Sequence, residues 1–215
     1  ELAALGDRIA IMGGHAERMV DEAVAALIND DVALARKVIA DDAVLDEGER
    51  WVDEYAVLLI ARRQPMADDL REIVGAIRIS SDLERIGDLA KNIAKRVVAI
   101  AEAGQPVQLF RGIEALATLA LTQLKQVLDI YASRSIGAIS FMRDRDGEID
   151  AMYTSLFREL LTYMMEDPRN ISPCTHLLFC AKNIERIGDH ATNIAETVYH
   201  IVTGEQLPLE RPKDD

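Results

Sequence analysis

Glu84 and Asp88 stand one helical turn apart in the run Glu84-Arg85-Ile86-Gly87-Asp88, and Glu185 and Asp189 do the same in Glu185-Arg186-Ile187-Gly188-Asp189. Upstream of each run lies a second spaced pair, Asp42 with Asp46 and Asp146 with Asp150. Glu49 and Asp53 extend the first of these, whereas Tyr153 and Phe157 follow the second. Like charges at this spacing destabilise a helix by roughly 0.2–0.5 kcal/mol per pair. A hard cation bound by several carboxylate oxygens would offset that repulsion. Neighbouring helices that each offer two such carboxylates have the donor set for one ion or a small cluster. The competing reading is a solvated acidic face. Arg85 lies three residues from Asp82 and from Asp88, and Arg186 three from Asp189, so surface ion pairs are available. Spacing alone leaves both readings open.

Nitrogen and sulfur donors are scarce around these pairs. His190 adjoins Asp189, but Leu89 holds the matching place in the other run, so His190 reads as a surface side chain. His15, His176 and His200 have no partner at ligand spacing. Cys174 and Cys180 do not form a CxxC motif and fall in or near an apolar helical run, as buried thiols of a reducing compartment would. Oxygen-only ligation points to Mg, Mn or Fe rather than structural Zn. The alternative, a di-metal carboxylate bundle with oxidase or storage activity, uses inward-facing Glu and ExxH ligands. No ExxH occurs here, and helical geometry turns Glu84 and Asp88 away from the apolar seam. With no nucleophile constellation and no Gly-rich phosphate loop, the chain reads as a non-catalytic protein.

The acidic runs belong to an internal repeat. Residues 84–94 and 185–195 agree at nine of eleven positions, at an offset of 101. From Asp46 to Glu84 is 38 residues and from Asp150 to Glu185 is 35, a difference that a variable loop between two helices absorbs. Each half then reads as three helices, at 2–29, 31–62 and 67–102, and again at 109–133, 135–165 and 173–203. Asn29-Asp30-Asp31 supplies N-cap candidates. Gln64-Pro65 and Asp167-Pro168 bias the residue before proline away from helix. Gly104-Gln105-Pro106 marks a boundary between a first repeat at 1–104 and a second at 105–204, with a frayed tail at 205–215. The third helix of each half carries a seam in steps of three and four: Ala76, Ile79, Leu83, Ile86, Ala90, Ile93, Val97, Ile100, and Leu177, Cys180, Ile184, Ile187, Ala191, Ile194, Val198, Ile201. Gly87 and Gly188 lie close to that seam, where a neighbouring helix can approach.

Composition agrees with an all-α chain of 215 residues, with 5% aromatics and strong helix formers. Lys and Arg number 24 against 37 Asp and Glu, a net charge of −13. That balance disfavours nucleic acid, whose binding draws on clustered Lys and Arg, and favours cations or basic protein faces. The longest apolar run, Tyr55 to Ala61, has seven residues, far short of the ~20 a membrane span requires. A cytoplasmic protein is expected, with a short segment preceding Glu1.

Both Glu-Arg-Ile-Gly-Asp runs, each followed by Asn-Ile-Ala, resemble the signature of the PhoU family. So do Arg63-Gln64-Pro65-Met66-Ala67 with Asp69-Leu70-Arg71, and the stretch Leu161 to Arg169. Met12-Gly13 and Val202-Thr203-Gly204-Glu205 also fit. The resemblance spans essentially the whole chain. It implies two tandem three-helix bundles related by pseudo-twofold symmetry, and metal binding through paired acidic motifs. Those motifs fall on Asp42, Asp46, Glu84 and Asp88 in one half and on Asp146, Asp150, Glu185 and Asp189 in the other, with Fe, Mn, Mg or Zn as occupants. It further implies a negative regulator of the phosphate-starvation response, linking the ATPase subunit of the phosphate ABC transporter to a phosphate-sensing histidine kinase. A homodimer is expected, touching the membrane only through those partners.

Overall fold

The computed structural model describes residues 1–103 and 111–207. Six long helices fill nearly all of that length: α1 Leu2–Asn29, α2 Val32–Arg63, α3 Asp68–Ala103, α4 Arg111–Ser133, α5 Ser140–Glu166 and α6 Ile171–Thr203. Helices α1–α3 pack on one another, as do α4–α6. The two groups join along α3 and α6, a pairing as extensive as that of α2 with α3 among the described residues, and along α1 and α4. Every residue of both seams is buried, and the apolar side chains of all six helices form one contiguous core.

Helix ends follow local chemistry. Asp31 is the N-cap that opens α2, accepting from the Leu34 N–H at 2.9 Å. Asp30 closes α1 in the left-handed conformation at φ 52°, and Gln64 closes α2 at φ 49°. Gly204, at φ 76°, donates its N–H to His200 O and ends α6. Asp167 is extended, as its place before Pro168 requires, and its carboxylate accepts from the Arg169 N–H at 2.9 Å.

Two boundaries differ from the sequence reading. A 3₁₀ turn, Ile136–Ala138, precedes α5, so that helix begins at Ser140 rather than near 135. Arg134, at φ 57°, turns the chain just before it. Helix α6 starts at Ile171 with Pro173 inside its first turn. Proline is tolerated there because the N–H it lacks would have no intrahelical partner. The Gly104-Gln105-Pro106 boundary and residues 208–215 of the tail lie outside the described residues.

The two glycines of the acidic runs set how closely the helices approach. A Cβ on Gly87 would collide with Leu45 of α2 and lie 3.7 Å from Asp42 Oδ1. One on Gly188 would lie 2.9 Å from Ile149 Cδ1 of α5. Each glycine thus draws the acid-bearing second helix of its half onto the third.

Candidate metal centre

Close approach at Gly87 brings the α2 and α3 acids to one face. Asp46 is exposed, Asp88 is half-buried, and Asp42 is only 5% exposed. Lys91, one turn beyond Asp88 on α3, reaches between the helices. Its ammonium hydrogen-bonds Asp42 and donates to Asp88 Oδ1 at 2.6 Å. Burial disfavours the charge on Lys91, but these hydrogen bonds and the carboxylates behind them outweigh it and hold the ammonium well above its ordinary pKa. The Glu84 carboxyl is raised, first by desolvation and then by Asp88, Glu49 and Asp46, with Arg85 pulling the other way. Arg85 lies 3.6 Å from Glu84 and 3.8 Å from Asp88. Glu49 therefore belongs to this group, while Asp53 lies exposed farther along α2.

The second half assembles its acids the same way with different partners. Desolvation raises Asp189, followed by Glu185, Asp146 and Asp150, with Lys182 opposing them. The other three sequence-predicted acids are thus within electrostatic reach of Asp189. Thr192 stands where Lys91 stands in the first half. Its hydroxyl donates to Asp146 Oδ1 at 3.1 Å and accepts from Gln123 Nε2 at 2.8 Å. Lys182 Nζ donates to Glu185 Oε1 at 2.7 Å. It lies as close to Glu185 Oε2, so the ammonium is ion-paired with both carboxylate oxygens.

Helical geometry placed Glu84 and Glu185 clear of the core, and the structure corrects this: Glu185 is 8% exposed and the Glu84 side chain 13%. A single helix drawn in isolation omits its neighbour, whose flank covers the base of each carboxylate. His190 is likewise no solitary surface side chain. Its Nδ1 lies 2.8 Å from Asp82 Oδ1 across the α3–α6 junction, and Asn193 reaches the same oxygen at 3.4 Å. Asp82 therefore engages the other half rather than Arg85. Lys91, Lys182, Gln123 and Thr192 escaped the sequence reading. The signal for both lysines was present, three residues from Asp88 and from Glu185.

Among the described residues no three carboxylate, imidazole or thiol groups converge tightly enough to hold an ion as they stand. The donor set nevertheless fits a hard cation. It consists of carboxylate oxygens, burial and then the neighbouring carboxylates raise Glu84 and Asp189, and an ammonium already sits between Asp42 and Asp88 as a cation would.

Comparison with known proteins fits this duplicated architecture. The PhoU domain model matches twice, at residues 9–97 and 113–198, once in each half. The chain belongs to the PhoU domain family. A protein of Rhizobium meliloti (strain 1021) named phosphate-specific transport system accessory protein PhoU homolog is 67% identical over 215 residues, covering all of this chain and 91% of the relative. One of the same name from Caulobacter vibrioides (strain NA1000 / CB15N) is 50% identical, covering all of this chain and 94% of the relative. The crystal structure of PhoU from Pseudomonas aeruginosa superposes with a TM-score of 0.91 at 37% identity, covering 95% of this chain and 98% of that one. The phosphate transport system regulatory protein PhoU from Streptococcus pneumoniae gives 0.88 at 27% identity, covering 97% and 98%. The all-helical fold expected from the repeat is the PhoU fold.

Proposed function

We propose that this chain is an accessory regulator of phosphate-specific transport, restraining phosphate uptake and the starvation response by docking on the transporter ATPase subunit and on a phosphate-sensing histidine kinase. Similarity along the full chain to a protein named as a phosphate transport accessory, at 67% identity, is the observation that carries this reading. The chemistry is compatible with a docking protein. Among the described residues no helix is long and apolar enough to cross a membrane. Met66 between α2 and α3 and Met165 in the last turn of α5 are 81% and 86% exposed, soft apolar side chains suited to protein contact.

Within this reading the acidic rows bind hard cations, Mn, Mg or Fe before Zn. Asp42, Asp46, Glu84 and Asp88 hold one centre, and Asp146, Asp150, Glu185 and Asp189 the other. Bound cations brace the second helix of each half against the third and reduce the repulsion between an acidic face and anionic surfaces near the transporter. The chain acts as an adaptor, with no reaction assigned to it.

Affinity capture from phosphate-fed and phosphate-starved cells tests the adaptor role. The transporter ATPase and the kinase are expected to follow the tagged chain from fed cells. Recovery of neither, under conditions that retain other weak complexes, would overturn it.

A further inference from the structure

Exchanging the two halves does not reproduce the α3–α6 junction at both of its ends. Matching α3 to α6 at an offset of 101 pairs Arg96 with Thr197 and Arg78 with Phe179. At one end the Arg96 guanidinium stacks on the Phe179 ring, 4.4 Å from its centroid, and occupies the space between the helices. At the other end the matched residues are a short, buried threonine and an exposed arginine, and they line a cleft of about 580 Å³ between the halves. Small-molecule sites commonly form in such seams. The walls of this cleft carry opposite charges that are not spent on each other. Arg78 and Asp82 stand one turn apart on α3, the spacing of an ordinary surface ion pair, yet they do not pair. Arg78 and Glu196, both exposed, make no hydrogen bond or ion pair among the described residues. Asp82 turns instead to α6, where His190 Nδ1 and Asn193 Nδ2 meet its Oδ1 at 2.8 and 3.4 Å, and its Oδ2 is left without a protein partner among the described residues. His200 Nδ1, 3.3 Å from Glu205 O, holds the chain leaving α6 at one rim of the cleft.

We propose that this cleft binds a small zwitterion, a free α-amino acid. Its carboxylate takes the Arg78 guanidinium, whose planar fork matches two oxygens. Its ammonium takes Asp82 Oδ2 and Glu196, and the Asn193 amide and Thr197 hydroxyl meet a polar side chain. One cationic and two acidic side chains line the cleft. The acids disfavour a plain anion such as phosphate, and Arg78 disfavours a polyamine. A ligand of both signs suits all three, since neither of its charges is desolvated without a partner. Bound there, it ties α3 of one repeat to α6 of the other. The proposal goes beyond the docking reading above and does not depend on it.

Isothermal titration calorimetry of the full chain against each standard amino acid tests it. At least one with a polar side chain is expected to bind with a Kd of about 1 mM or tighter. Its N-acetyl and C-amide derivatives, each lacking one charge, should bind about tenfold or more weakly, the scale of one charge-assisted hydrogen bond. Arg78→Gln should weaken the free amino acid by a similar factor. Arg78→Phe combined with Thr197→Arg copies the filled end of the junction and should abolish binding in a chain still helical by circular dichroism. Should that double variant fail to fold, Arg78→Gln, at an exposed position, still decides. No binding by any amino acid, binding that survives Arg78→Gln, or derivatives that bind as well as the free compound would each overturn the proposal. Inorganic phosphate bound in an Arg78-dependent way, with no amino acid bound, would overturn it in favour of an oxyanion site.

Discussion

Lys91 shows what a residue can do that spacing does not reveal. The i, i+4 rhythm of the carboxylates was readable in the sequence, because both members of each pair lie on one helix. That Asp42 meets Asp88 through an ammonium depends on how α2 settles against α3, and no local pattern encodes it. The cysteines were legible for the opposite reason: an apolar run buries whatever stands in it. Cys180 is wholly buried, and desolvation pushes its thiol up to about 12. At pH 8 roughly one such thiol in ten thousand is ionised. Native protein should therefore react negligibly with an aromatic disulfide reagent at Cys180, and denatured protein should titrate both thiols at once. Rapid modification of Cys180 in the folded chain would contradict the burial described.

At the scale of elements, the repeat and its periodicity marked six helices to within a few residues, and Asn29-Asp30-Asp31, Gln64-Pro65 and Asp167-Pro168 marked three of the breaks between them. The misses fall where two rules compete. Pro173 reads as a helix start yet sits comfortably inside a first turn, and the 3₁₀ turn before α5 has no strong sequence mark beyond Gly137. Gly87 and Gly188 were legible as close-approach positions, and the contacts at Leu45 and Ile149 show what approaches. Gly87→Ala should cost about 1–3 kcal/mol of overpacking, offset by about 1 kcal/mol of improved helix propensity. Gly14 offers the control. It is exposed in α1, and a methyl added there would meet nothing within 4 Å, so Gly14→Ala should stabilise by about 1 kcal/mol. Chemical denaturation of the pair measures both signs, and a stabilising Gly87→Ala would mean the helices are not held as close as described.

At the scale of the whole molecule, duplication produced two bundles that no longer behave as separate bodies. One contiguous core runs through all six helices, α3 packs on α6, and Asp82 with His190 joins the halves at their polar edge. Cooperativity should follow the core rather than the repeat. Calorimetry is expected to show one transition with matching calorimetric and van't Hoff enthalpies, and two resolved transitions would contradict a shared core. The sequence disclosed the twofold repetition at once, but not the extent of fusion, since the same seam residues would serve two loosely tethered bundles equally well.

A net charge of −13 spread over a fused bundle makes cations and basic protein faces the natural company of this chain. Whether metal reaches the acidic faces is decided most directly by anomalous diffraction from crystals soaked in Mn²⁺. Peaks are predicted between α2 and α3, beside Glu84 and Asp88, and between α5 and α6, beside Glu185 and Asp189, with Lys91 and Lys182 swung away from their carboxylates. Data showing both lysines still seated on their carboxylates, with no anomalous density on either face at saturating Mn²⁺, would contradict it.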